Sequence, residues 1–134
     1  MKDDCIFCKL ANNVYPTNSI YEDDLFNVIL DAGPASKGHA LVIPKEHYTN
    51  LYEMPDDLLQ KAIVLAKKMA VRMTDKLNCD GFNLVQNNGE TAGQTVFHFH
   101  IHLIPRYKEG SPMIHWNQES PSPEELSKIR DLLV

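Results

Sequence analysis

The sequence has no apolar run approaching the roughly 18 to 20 uncharged residues of a membrane span. Its start, Met1-Lys2-Asp3-Asp4, lacks the apolar stretch of a signal peptide, so a cytoplasmic location is the expectation. Cationic side chains are in the minority, 13 Lys and Arg against 18 Asp and Glu, for a formal net charge of -5. That balance argues against a broad nucleic-acid-binding face, which needs Lys and Arg to neutralise phosphates; a small ligand held by a few directed groups remains compatible with it. Cysteine is scarce, and Cys5, Cys8 and Cys79 make an odd count; a reducing compartment keeps them as thiols rather than structural disulfides. Internal repeats and low-complexity segments are absent. With 134 residues and 43% hydrophobic content, the chain suits a single domain, 1–134, around one core.

What is present reads as an α+β domain. Cys5 to Leu10 predicts a turn into a short helix, ended before Pro16. Ser19–Glu22 and Leu25–Leu30 predict two strands of a hairpin turned by Asp23 and Asp24, and His39–Ile43 a third strand stopped by Pro44. Pro55-Asp56-Asp57 opens a long helix, with acids at the positive end of its dipole. Its apolar set is Leu59, Ala62, Ile63, Ala66, Met69, Ala70, Met73 and Leu77, with Lys61, Lys68, Arg72 and Lys76 on the other side. Phe82–Gln86 is a fourth strand, Asn87-Asn88-Gly89 a turn, and Thr95–Pro105 a fifth strand. A tail rich in Pro, Gly and Ser leads to a terminal helix from Pro123 to Val134. Antiparallel strands with helices grouped apart define the class.

Residues 98 to 104 read His-Phe-His-Ile-His-Leu-Ile. A period of two places His98, His100 and His102 on one strand face roughly 6 to 7 Å apart, with Phe97, Phe99, Ile101 and Leu103 on the other. Three readings compete: surface histidines on an exposed sheet face, a tri-histidine metal site for hydrolysis, or a nucleophilic middle histidine. A neutral imidazole can attack phosphorus while its other nitrogen is fixed by a hydrogen bond. The metal reading lacks an acidic ligand at a matching spacing.

The His-x-His-x-His-x-x pattern with apolar x resembles the signature of the histidine triad superfamily of nucleotide hydrolases and transferases. Lys37-Gly38-His39-Ala40-Leu41-Val42-Ile43-Pro44-Lys45-Glu46-His47 and Gly93-Gln94-Thr95-Val96 extend the resemblance from Cys5 to about Arg106, leaving 107–134 as a tail. The resemblance implies a five-stranded antiparallel sheet covered by one long helix, with short terminal helices. It implies that His100 forms a nucleotidyl-histidine intermediate, its ring oriented by the main-chain carbonyl of His98. His102 then contacts phosphate oxygens, Thr95 hydrogen-bonds toward the leaving group, and His39 supports the triad indirectly. Asp31 matches the ribose-binding position and Ile29 the base wall. Asn87, Gly93 and Gln94 match positions near phosphate and ribose, Gly89 and Gly93 being suited to close main-chain approach. Ile6, Phe7 and Leu10 are candidates for the base pocket, with core packing the competing explanation.

By residue chemistry alone Cys5-x-x-Cys8 is two buried thiols, a redox pair or half of a metal site. The resemblance is to the bacterial Hint-like branch, in which His47 and His98 would complete a structural zinc site that contributes stability rather than chemistry. It also implies a homodimer, with the tail carrying His115 and Trp116 within reach of a partner's site, or Trp116 covering its own core. The implied substrates are purine nucleoside 5′-phosphoramidates. Ile104-Pro105-Arg106-Tyr107 also resembles dinucleoside polyphosphate hydrolases of the superfamily, and a slowly turning nucleotide-binding or scaffold protein is the alternative of another class.

Overall fold

The structure, a computed structural model, describes residues 1–110 and 114–134; positions 111–113 of the tail lie outside the described residues. Strands β1 (Ser19–Glu22), β2 (Phe26–Leu30), β3 (Ala40–Pro44), β4 (Gly81–Val85) and β5 (Ile101–Arg106) form one sheet in the order β1-β2-β3-β5-β4, antiparallel throughout. The helices are α1 (Ile6–Ala11), α2 (Asp56–Leu77) and α3 (Pro123–Leu133). This is the expected α+β architecture with one long covering helix. No helix among the described residues is long and apolar enough to cross a membrane.

The β1–β2 hairpin turns on Asp23, whose Oδ1 accepts from the N–H groups of both Leu25 and Phe26 at 2.8 Å. This side-chain mimic of a turn carbonyl is what short acidic residues supply. The central strands β2 and β3 are buried on both faces, and their alternation divides two cores. Phe26, Val28, Ala40 and Val42 face α2 together with Phe99, Ile101 and Leu103, meeting Ala62, Leu65, Ala66, Met69 and Met73. On the opposite face Ile29, Leu41 and Ile43 pack with Ala11, Phe7 and Leu10 of α1. A six-residue helix has no independent stability, so α1 exists because Cys5 caps it and this second core holds it; the Cys5 sulfur accepts from the Cys8 N–H at 3.4 Å.

Several boundaries differ from the sequence reading. Pro44 lies inside β3, paired with Phe26. On α2, Ala62, Ala66, Met69 and Met73 are buried as expected, but Leu65 is buried in place of Ile63, which is 51% exposed. The largest difference is at β5, which begins at Ile101 and not at Thr95. The preceding segment leaves the ladder: the Phe99 N–H donates to the Tyr48 carbonyl at 2.6 Å. Gln94 is buried and its amide donates to the carbonyls of Thr49 and Val96. Phe97, expected in the core, is therefore 51% exposed. Trp116 does not cover the core and is 78% exposed.

Candidate active site

The site is built on the sheet face opposite α2. His102 enters from β5, paired with Leu41 of β3 and Val85 of β4. His100 sits just before β5, its ring centroid 4.9 Å from that of His102 and tilted by 69°. His98 lies on the same side of the sheet, where α1 packs, but its ring is fully buried and turned toward Cys5, Cys8 and His47 instead of lining the cleft.

Hydrogen bonds assign the ring nitrogens one after another. Nδ1 of His100 lies 2.7 Å from the His98 carbonyl, so it carries the proton and leaves the lone pair on Nε2. Nε2 of His98 donates to the Pro44 carbonyl at 2.8 Å, leaving the Nδ1 lone pair facing the cysteines. The Ala35 N–H donates to His39 Nδ1 at 2.9 Å; His39 therefore bears its proton on Nε2 and donates it to His102 Nδ1 at 2.9 Å. His102 is left with Nε2–H as a donor. Gly38 makes the approach to His39 possible: its φ is +90°, and a Cβ there would stand 2.5 Å from Leu77 Cδ1.

Burial is the first cause of the shifts at these rings. It pushes His102 down to about 4, reinforced by His100 and His39, and pushes His98 down to about 4 against its bond to Pro44. His100 and His39 are lowered by burial as well, with Asp31 opposing in both cases and the His98 carbonyl opposing at His100. The rings are neutral near pH 7, the state in which an imidazole can act as nucleophile or ligand.

A cleft of about 560 Å³ opens beside them, of a size suited to a small organic ligand. His100, His102 and Thr95 stand together in its lining, Asp31 supplies a carboxylate, and Phe7, Leu10, Ile29 and Leu41 supply apolar wall. Asp31 Oδ1 accepts from the Gly33 N–H at 2.8 Å and Oδ2 lies 3.5 Å from His39 Nε2. Asp31, His39 and His102 lie close enough to suggest a metal triad. The Ala35 bond excludes that role for neutral His39, because a ligating Nε2 would need the proton on the Nδ1 that already accepts.

Other expected residues stand apart from the cleft. Ile6 is exposed on α1. The Gly89 N–H donates to Gln94 Oε1 at 2.8 Å and the Gly93 N–H to the Glu90 carbonyl at 2.9 Å, so both are spent inside the loop. The side-chain amide of Asn87 packs against Gly93. These residues shape the loop that carries Thr95. The sequence reading missed Leu41, whose period-two relation to Ile43 on the expected third strand was a usable signal. It also missed Val96, the last residue of the Gly93–Val96 motif, and Pro16, Thr17, Asn18 and Ala32, for which no motif speaks, in the cleft lining.

A second cluster adjoins the first. Cys5 Sγ and Cys8 Sγ lie 3.3 and 3.4 Å from His98 Nδ1, Cys8 Sγ 3.4 Å from His47 Nδ1, and the two Nδ1 atoms 3.2 Å apart. Tetrahedral bonds of zinc length to sulfur and nitrogen demand edges of about 3.4 to 3.6 Å. The four residues can hold a metal ion, and the deprotonated Nδ1 of His98 is the right donor for one.

The family profile described as HIT domain matches residues 12–109. An uncharacterized HIT-like protein of Methanocaldococcus jannaschii is 46% identical over 114 residues, 85% of this chain and 88% of that protein. An adenosine 5′-monophosphoramidase of Saccharomyces cerevisiae is 37% identical over 131 residues, 97% of this chain and 80% of that enzyme. A crystal structure of a Streptococcus mutans protein superposes with a TM-score of 0.93 at 38% identity, covering 99% of this chain and 85% of that one.

Proposed function

Because the chain belongs to the HIT family, we propose that it is a nucleotide hydrolase acting at the α-phosphorus of purine nucleoside 5′-phosphoramidates. The observation that carries the reading is the 2.7 Å bond from His100 Nδ1–H to the His98 carbonyl. It fixes the tautomer in which Nε2 is a free nucleophile at the cleft. His100 Nε2 attacks phosphorus, the P–N bond to the leaving amine breaks, and a nucleotidyl-histidine forms; water then displaces the histidine and releases the nucleoside monophosphate.

His102 Nε2–H is placed to donate to a phosphoryl oxygen as charge develops there. Thr95 hydrogen-bonds to the departing group, and Asp31 accepts from the ribose hydroxyls. Phe7, Leu10, Ile29 and Leu41 enclose the base. His39 touches no substrate and acts by holding the proton of His102 in place. Cys5, Cys8, His47 and His98 would hold one zinc ion, whose contribution is to tie α1 to the sheet rather than to activate water, since four protein ligands close its coordination. The free edge of β4, with Leu84 43% exposed, is the surface through which a second copy would pair.

The test is a panel of adenosine and guanosine phosphoramidates, a dinucleoside polyphosphate and a sugar nucleotide, assayed with wild type and His100→Ala. Fastest turnover of a phosphoramidate, lost in the variant, is expected. Equal and slow turnover by both proteins would leave a binding or scaffold role instead.

A further inference from the structure

The metal cluster and the nucleophile are joined through residues that belong to both. Nδ1 of His98 faces Cys5, Cys8 and His47, while the same residue's main-chain carbonyl receives the proton of His100 Nδ1. Phe7 stands between the two cysteines in sequence. Its ring lies edge-on to His100, with centroids 4.8 Å apart at 82°, and also meets His98 at 6.2 Å. We propose that His98 and Phe7 are positioning residues through which the occupied Cys5–Cys8–His47–His98 site aims His100 into the cleft.

The reason lies in what fails to hold this segment. β5 begins at Ile101, so no strand ladder fixes the peptide planes of 98 to 100. Phe99 is tied by one main-chain bond to Tyr48. That bond holds the far side of the peptide that carries the His98 carbonyl, and the His98 side chain supplies the remaining restraint, with one anchor at the Pro44 carbonyl through Nε2 and the other at the cluster through Nδ1. On the other side, α1 is too short to persist alone, and Cys5 both caps it and supplies a ligand atom. Emptying the cluster frees the second anchor of His98 and the N-terminal end of α1 together. One restraint on the acceptor of His100 and one packed neighbour of its ring are then loosened in one event. This gives the cluster a part in catalysis beyond stability, exerted without contact with substrate.

The inference rests on His100 as nucleophile for its effect on rate. Its main readout is the His100 ring itself, which reports the coupling whether or not an adduct ever forms. Long-range proton–nitrogen NMR of the histidine rings is recorded on zinc-loaded protein, on chelator-treated protein and on His47→Ala, which removes a ligand while keeping His98 and its bond to Pro44. Circular dichroism verifies folding. Zinc-loaded protein is expected to show His100 as a single Nδ1–H tautomer. Both metal-depleted forms are expected to show tautomer averaging and a kcat about tenfold lower, the scale on which supporting residues act. Phe7→Leu keeps all four ligands; without substrate present it is expected to retain one zinc per chain and to broaden the His100 signals. Identical His100 signals in folded metal-free and loaded protein would overturn the proposal. If the depleted forms do not fold, a loaded Phe7→Leu protein with unchanged His100 signals would overturn it as well.

Discussion

His100, His102, His98 and His39 are the same residue type within one small region, and each is given a different task by the partner of one ring nitrogen. A main-chain carbonyl leaves His100 with an unprotonated Nε2, and a main-chain N–H at Ala35, relayed through His39, leaves His102 with a proton on Nε2. His100→Ala is expected to lower kcat/KM for a nucleoside phosphoramidate by about 10³-fold or more, about 4 kcal/mol of transition-state stabilisation. Binding of a nucleoside monophosphate, measured by calorimetry, is expected to survive. The period-two spacing set His100 apart in the sequence, whereas Asp31 and Ile29 stood out only through the family resemblance; all three line the cleft. The tautomers of His39, His98 and His102 were not legible, because Ala35 and Pro44 contribute main-chain atoms that any residue carries.

Acid sensitivity belongs to the same scale. A histidine in the unfolded chain titrates near 6.5, whereas burial holds His102 down to about 4. Below 6.5 the unfolded state takes up a proton that the folded state refuses, so the contribution of neutral His102 is complete above 6.5 and disappears as pH falls toward 4. Thermal melts across that window should fall more steeply for wild type than for His102→Gln, by about 3 °C or more. Parallel curves would contradict this assignment.

Among the elements, the decisive one is the stretch before β5 that is not strand. Hydrophobic alternation across 97 to 103 reads as continuous strand, and nothing local signals the break. The break is made by distant partners: Tyr48 takes the Phe99 N–H, and Gln94 binds Thr49 and Val96. Along this stretch His98 turns into the cluster with Cys5, Cys8 and His47, while His100 and His102 line the cleft. Phe99 anchors the segment, being 1% exposed within the α2-facing core. Phe99→Ala should cost about 3 to 5 kcal/mol, measured by urea unfolding, with activity falling in parallel; a loss below 1 kcal/mol would mean that the anchor lies elsewhere. By contrast, α2 was legible nearly to its ends, since 22 residues of helical periodicity average out a local error such as Ile63 for Leu65.

At the scale of the whole molecule, one sheet separates two functions: a core against α2 on one face, and chemistry with a metal-binding cluster on the other. The sheet has two edges. β1 carries an irregular register near Ser19 and Tyr21, whereas β4 presents a regular edge, the kind that pairs with another chain. Leu84→Glu on β4 is expected to shift the protein from dimer to monomer in sedimentation experiments; a monomeric wild type would contradict the pairing. The expectation of a homodimer came only from the family resemblance, because an edge is defined by the sheet order and no residue pattern states it. The central claim concerns a covalent bond, and rapid acid-free quenching during turnover of adenosine phosphoramidate, followed by peptide mass spectrometry, tests it most directly. The expected result is a nucleotidyl group on His100; unimpaired turnover with no adduct, or with the adduct on another side chain, would contradict the account.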